Sequence, residues 1–444
     1  MTKPLPLRHP RTQAAGVSIL LIALALLGGA SARSVLSPLQ ELVRADLGLT
    51  DNQVSLVQGA AIALPLALVS IPIGRLVDRA NRTRLLMVLA LLCAAGSVLT
   101  AFAQGFATMF LARMLVGVSF GAALPAAVSL GADLSHAANR SKVMAALGLG
   151  QIVGTAGAFL GAGSLLARLP AALDMGLGMP PLAAWRVVQL LFSLGMLVLA
   201  LALSLLREPP RREVEQSSNV GLAALLRELA GHRRVLMPLI GGMVTIGMAD
   251  GAASIWAVPV LTRALHQQPA DFGAWMGLLL MASGLFGIVI GGLLGDLGQR
   301  MAGRSGLLGA AALVTALSVP MACFPLMSSV TGFGALLGLL ILFGAAAGII
   351  GTAAITVLMP NELRGVSISL VNTFSIVIGL GLAPTLVSLV AQAAGYGNDI
   401  RVPLALVGLM TSTGGVACYL LAIRAVRSPA AASAGVKASV STPL

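Results

Sequence analysis

Charge is the scarcest commodity in this sequence. Only 10% of its 444 residues are Asp, Glu, Lys or Arg, against about 25% in an average soluble domain. So few charges exclude a water-exposed surface over most of the chain. The apolar content excludes disorder. Cysteine is nearly absent: Cys93, Cys323 and Cys418 all lie inside apolar runs, which excludes a disulfide-stapled secreted fold. The four histidines, His9, His136, His232 and His266, fall outside those runs. No Ser-His-Asp triad or metal cluster is therefore expected inside them. An enzyme working within lipid is disfavoured, and neither a cofactor nor a metal site is expected.

What is present is apolar length. Hydrophobic residues make up 57% of the chain. They fall in twelve windows, at 14–36, 53–74, 85–104, 107–130, 142–165, 186–206, 235–258, 274–295, 306–327, 333–357, 366–391 and 402–424. Crossing a bilayer takes roughly 20 apolar helical residues. The windows show no two-residue alternation, so they predict helices. The fold expected is all-α and polytopic, with twelve transmembrane helices. Gly 52 and Pro 22 suit membrane helices that pack through small residues. The start of the chain, with Lys3, Arg8 and Arg11 before an apolar run ending Ala30-Ser31-Ala32, has the grammar of a cleavable signal. Eleven further spans favour a first membrane helix instead.

The net charge of +13 raises the question of nucleic acid. The distribution of the bases argues against it. With the N-terminus in the cytoplasm, 21 of the 28 basic residues fall in cytoplasmic segments. Only Arg44, Arg168, Arg186, Arg263 and Arg401 fall on the outer side, and Arg33 and Arg113 fall within spans. This positive-inside bias places both termini in the cytoplasm and the protein in the cytoplasmic (inner) membrane. The partners expected are the lipid bilayer, a small-molecule solute and protons, with no nucleic acid. A monomer is expected.

The longest inner loop divides the spans six and six. The domains expected are 1–206, an N-terminal six-helix bundle; 207–234, a cytoplasmic loop; 235–427, a C-terminal six-helix bundle; and 428–444, a disordered tail. Within the loop, Leu222–Leu229 fits a short surface helix or a solvated linker equally well. The halves echo each other. Gly74-Arg75-Leu76-Val77-Asp78-Arg79-Ala80-Asn81-Arg82 follows span 2, and Gly292 to Arg300, with Asp296, follows span 8. Glycine permits close helix approach, and the Asp can pair with a loop Arg. Two copies at matching places favour a conformational latch made of Gly74, Asp78, Arg79 and Arg82 with Gly292, Asp296 and Arg300.

These two loops resemble the signature loops of the major facilitator superfamily. So does Arg113 with Gly117 and Gly121 in span 4. The likeness covers about residues 14–425. Within that superfamily the chain is most similar to bacterial spinster-like members, through Ala45–Asp51, Gln58-Gly59, Gly74–Arg84, Ala112-Arg113, Val116–Val118, Ala132–Leu134 and Arg207–Pro210. The resemblance implies two pseudo-symmetric six-helix bundles and an alternating-access carrier of amphipathic lipids, organic acids or drug-like molecules, in some members driven by protons. It also exposes departures. Ala32-Arg33 stands where the group carries Asp-Arg, and Phe120 where it carries Glu, so its proton-coupling acids are missing.

Charges inside a bilayer are costly and are functional candidates. Three stand out here: Arg33, Arg113 and Asp250, the single acid well inside a span. In the superfamily's architecture they fall on three of the four cavity-lining helices. One reading pairs Asp250 with Arg113 or Arg33 and couples that pair to protons; another is a static pair. The surplus positive charge suggests an anionic solute, whereas Arg113 bonding backbone carbonyls is the structural alternative. Weaker cavity-lining candidates are Gln58, Gln151, Thr245, Ser254, Trp256, Thr352, Thr356, Asn372 and Thr373, with Trp256 also a candidate interfacial anchor. Gly150, Gly154, Gly157 and Gly161 form a small-residue stripe in span 5. It resembles that of drug antiporters except that Thr155 replaces the expected Pro. Gly379, Gly381 and Pro384 are its counterpart in span 11. The function expected is secondary active transport of a small organic solute, anionic or amphipathic and proton-coupled. The alternatives are a drug or lipid exporter of the same fold and a transport-inactive sensor or structural homologue.

Overall fold

The computed structural model describes residues 12–136, 139–173, 181–210 and 222–427. It is almost wholly helical. In chain order the helices are α1 (Thr12–Ser34), α2 (Leu36–Leu47), α3 (Asp51–Ser55), α4 (Ala61–Arg79), α5 (Arg82–Ala101), α6 (Phe106–Leu134), α7 (Arg140–Leu166), α8 (Ala184–Leu203), α9 (Leu222–Gly231) and α10 (Arg233–Pro259). They continue with α11 (Pro269–Met321), α12 (Val330–Leu358), α13 (Asn361–Phe374), α14 (Ala383–Ala393) and α15 (Arg401–Arg427). A two-stranded ribbon, β1 (Ala172–Leu173) with antiparallel β2 (Leu182–Ala183), precedes α8. Eleven stretches are long and apolar enough to cross a membrane.

The twelfth span is concealed in α11, which holds two of the sequence windows. Its backbone leaves helical geometry at Ala302 and Gly303, and Gly303 sits at φ 56°, a conformation that favours glycine. The chain doubles back there, giving spans 8 and 9. Spans 2 and 11 are composite. π turns at Leu56–Ala60 and Ser375–Leu382 join α3 to α4 and α13 to α14, and a third at Val260–Ala264 extends α10. Twelve crossings thus form two six-helix halves, and the described part of the loop between them contributes α9. The tail 428–444 lies outside the described residues.

An even number of crossings puts both ends of the described chain on one face, called here the terminal face. Near it, Arg82 is 2% exposed and ties three segments of the first half together. Its guanidinium pairs with Asp133 at the end of α6 and, at 2.8 Å, with Glu208 beyond α8. Burial alone would push the Glu208 carboxyl up. The Thr83 N–H and the Arg82 guanidinium outweigh that and hold it below its ordinary value. A carboxylate held down in the fold stabilises above its unfolded value, so this tie is whole at neutral pH and is lost as pH falls through the carboxylate range.

The two halves meet toward the opposite face. α7 crosses α11 so closely that a Cβ on Gly163 would lie 2.6 Å from the Pro269 carbonyl, and one on Gly277 2.6 Å from that of Ala156. Gly59 of span 2 abuts the Leu380 carbonyl of span 11, π turn against π turn. Beyond these contacts lies a charged closure. The sequence places Glu41 and Arg44 in a loop after span 1. In fact α1 runs on into α2, which carries both. Gly48 ends α2 at φ 60°, and Thr50 starts α3 with a reciprocal cap to Gln53. That sharp turn brings Asp51 beside Glu41.

Arg263, from the second half, enters this pair. Its Nε and Nη2 donate to Glu41 at 3.0 and 2.8 Å, and its Nη1 and Nη2 both donate to Asp51 at 2.8 Å. Arg44 Nε lies 2.9 Å from Asp51, and its Nη2 reaches Asn398 at 3.4 Å. Asn52 with Gln392, and Ser55 with Thr385, extend the seam inward. Among the described residues, these hydrogen bonds and ion pairs between the halves lie on the face away from the termini.

Two outcomes follow. Losing one partner of a buried ion pair costs about 3–5 kcal/mol, so Arg82→Gln should lower the detergent thermal midpoint by several degrees. An unchanged midpoint would contradict the tie. Arg263→Gln removes every cross-half bond of that guanidinium. An Asn52→Cys reporter, in a background without the native cysteines, should then react several-fold faster with an impermeant maleimide. Equal rates would mean that the cluster does not hold the face shut.

Candidate functional site

Between the halves, just inside this closure, lies a cavity of about 550 Å³, measured with the part open to solvent. Its walls differ in chemistry. The first half contributes mainly Arg33, Ser34, Ser37, Gln58 and Thr155, with Phe159 as its apolar member. The second contributes mainly Ile255, Met276, Leu280, Leu337, Ile341 and Leu380. The polar wall is a consequence of α1 passing into α2: residues 33, 37 and 40 lie at helical spacing on one face. Ser37 Oγ donates to Gln58 Oε1 at 3.0 Å, and Gln58 Nε2 donates to Gln40 Oε1. Gln40 Nε2 is buried and has no partner.

The two membrane arginines take different roles. Arg113 is 1% exposed and donates to the carbonyls of Ala32 at 3.0 Å and Arg33 at 2.6 Å. These belong to the last turn of α1, where carbonyls lack intrahelical donors and carry partial negative charge. The backbone-bonding reading of Arg113 therefore describes this structure. Arg33 lies at the cavity with its guanidinium 5.2 Å from the centre of the Phe120 ring and its Nε unpartnered. The aromatic that replaces the family acid has become the neighbour of the arginine.

Asp250 joins neither arginine in an ion pair. It packs against Gly344 of α12, where a Cβ would come within 2.8 Å of the carboxyl carbon, and its Oδ1 is buried without a partner. Ser254 and Ile341 line the cavity. Asp250 is four residues before Ser254 on α10, and Gly344 three after Ile341 on α12, so both lie one turn below the cavity on the same faces. The expected Asp250–Arg contact is absent because the carboxylate fits into the gap left by a glycine within its own half.

Of the weaker candidates, Gln58 and Ser254 line the cavity. The others do not. Thr245, Thr352, Thr356 and Thr373 donate to carbonyls three or four residues back in their own helices, a local bond that the cavity-lining Ser254 also makes to the Gly251 carbonyl. Trp256 is fully buried and donates to the Pro384 carbonyl at 2.8 Å. It is a core residue rather than a cavity wall or an interfacial anchor. Gln151 is half-buried and Asn372 exposed, both away from the cavity lining. The residues missed in the sequence are Ser34, Ser37 and Thr155, and the closing set Glu41, Asp51 and Arg263. The helical spacing of Arg33, Ser37 and Gln40 was the available signal for the polar wall.

The latch residues divide. Gly74 and the side chain of Asp78 fall among positions whose surroundings lie outside the described set. Arg79 is exposed, whereas Arg82 is buried in the tie to Asp133 and Glu208. In the second copy Asp296 and Arg300 are exposed and make no ion pair among the described residues, and a Cβ on Gly292 would meet no neighbour within 4 Å. The close approach falls instead at Gly298, opposite Gly306 across the α11 hairpin. The span 5 stripe also divides. Gly150 and Gly154 pack on α1, Gly161 on Phe192, and Gly157 faces open space. In span 11, Gly379 packs on Gly247 and Gly381 on Ala63.

The fold is shared with solved structures. A bacterial homologue of the human lysosomal transporter Spinster, in its inward-facing and unoccupied conformation, superposes with a TM-score of 0.78. It is 20% identical, covering 93% of this chain and 97% of that one. Its occupied form gives 0.73 at 19% identity, covering 92% and 95%. Among curated relatives, a probable 4-methylmuconolactone transporter of Cupriavidus pinatubonensis is 26% identical, over 86% of this chain and 87% of its own. A triacylglyceride transporter of Mycolicibacterium smegmatis is 28% identical over 57% of this chain, and the match spans only 42% of that relative. The Major Facilitator Superfamily pattern matches residues 21–384. This chain is a multi-pass membrane protein that belongs to the major facilitator superfamily of transporters.

Proposed function

We propose that the protein is a secondary active transporter that carries an amphipathic organic anion across the cytoplasmic membrane by alternating access. The observation that carries this reading is the two-sided cavity: a guanidinium and hydroxyls on one wall, aliphatic side chains on the other. A solute with a charged head and an apolar body satisfies both walls. Its carboxylate, sulfonate or phosphate takes the Arg33 fork, and its body buries surface against Ile255, Met276, Leu280 and Leu337. Two relatives are named for organic solutes, a probable 4-methylmuconolactone transporter and a triacylglyceride transporter. The positive-inside bias assigns the terminal face to the cytoplasm, so the closed face is the outer one. The polypeptide supplies both walls of the cavity by itself, which fits a monomer.

Asp250 supports proton coupling as the finer part of this reading. It is an acid within a span, beneath the cavity, and among the described residues it has no ion-pair partner to fix its charge. Gaining and losing a proton there would alter the contact between α10 and α12.

Arg33→Gln should reduce uptake of an amphipathic sulfonate into proteoliposomes at least tenfold, and Arg33→Lys, which keeps the charge but not the fork, should lie between. Wild-type uptake in Arg33→Gln would refute the anion site. Asp250→Asn should flatten the pH dependence of uptake while retaining binding of the sulfonate. A pH profile identical to wild type would remove the proton role.

A further inference from the structure

The cavity arginine has no counter-charge among the described residues. Among the described residues, no carboxylate forms an ion pair with Arg33 or with Arg113. Arg113 is partly compensated by the helix-end carbonyls of Ala32 and Arg33. Arg33 has only the face of Phe120, a weaker neighbour for a cation than a carboxylate. The other polar groups on its wall, Ser34, Ser37, Gln58 and Thr155, are neutral. Asp250 sits in the other half against Gly344. The vacant site is therefore cationic.

A carrier cycle crosses the membrane twice, once loaded and once returning. With an anion on Arg33 the crossing is charge-compensated. Without one, the return takes an uncompensated guanidinium through a state in which both faces are closed and water is excluded, which is costly. The closure at Arg263, Glu41 and Asp51 adds to the asymmetry. With Arg44 included, its two cations and two carboxylates balance among themselves, so it lends no negative charge to the cavity.

We propose that the protein is an anion exchanger, in which the return leg is made with a second anion on Arg33 rather than with an empty site. The counter-substrate belongs to the same chemical class, an organic carboxylate, sulfonate or phosphate. This inference rests on the anion-site reading above. A proton on Asp250 can accompany the loaded leg without removing the need for an anion on the return.

The test uses the full chain in liposomes, with labelled naphthalene-2-sulfonate as a permanently charged amphipathic probe and the membrane potential clamped. Uptake is compared between vesicles preloaded with the unlabelled sulfonate and vesicles holding only sucrose and a zwitterionic buffer. Exchange predicts at least tenfold faster uptake into the preloaded vesicles. Phe120→Glu places a carboxylate beside Arg33 that competes with the probe, so it should slow uptake into preloaded vesicles and bring the two rates to within about threefold of each other. Phe120→Gln should not. Equal wild-type uptake into both kinds of vesicle overturns exchange while leaving the anion carrier standing. So does rapid uptake into unloaded vesicles driven by a proton gradient. No uptake into either kind overturns the anion site, and exchange with it.

Discussion

A charge inside a bilayer must find its compensation within the protein, because neither lipid nor water will supply it there. That constraint orders the molecule. Four of its arginines meet it in four different ways. Arg82 takes two carboxylates from its own half, and Arg263 takes two from the opposite half. Arg113 takes the carbonyls at the end of α1, and Arg33 takes an aromatic face. The first tie fixes three segments of one bundle. The second joins the bundles but is made at the surface, where water can replace it when they part. The third couples span 4 to span 1 permanently, since a backbone carbonyl cannot be titrated away. Only the fourth leaves a charge for something outside the protein to satisfy. The position of the cavity follows from this order of decreasing internal compensation.

The helices themselves are set by the other half of the same constraint. Backbone polar groups in lipid must bond within the chain, so an apolar run of sufficient length has little choice but to be helical. This is why all twelve windows recur in the structure with shifts of only a few residues at most ends. The hairpin at Gly303 shows where counting helices falls short of reading composition. Asp296, Arg300 and Arg304 mark the gap between the windows 274–295 and 306–327, but a turn made within two residues conceals it from length-based counting.

The site was less legible than the fold. Arg33, Arg113 and Asp250 are visible in a sequence because they violate a strong rule. Their partners are not, because partnership depends on which way a side chain points across helices far apart in the chain. Asp250 and Gly344 are 94 residues apart, and the contact depends on an absent Cβ. Hydroxyl residues are ambiguous for a local reason: Thr245 and Thr352 satisfy themselves on their own helices, while Ser37 reaches Gln58, and composition distinguishes none of these. The closing cluster was hidden by a simpler error. Glu41 and Arg44 read as loop residues because the apolar window ends near residue 36, yet the helix continues as α2 beyond it.

The π turns in spans 2 and 11 change how these helices will tolerate alteration. Each takes up about one extra residue in its turn relative to an α-helix. A residue advances a regular helix by roughly 100°, so a deletion elsewhere in span 2 would turn Asn52 and Ser55 away from Gln392 and Thr385. Deleting the absorbed residue would instead narrow the turn and leave both sides of the span in phase. The π turns are therefore the places where spans 2 and 11 can lose a residue without losing their rotational match, at the cost of the contact between Gly59 and the Leu380 carbonyl.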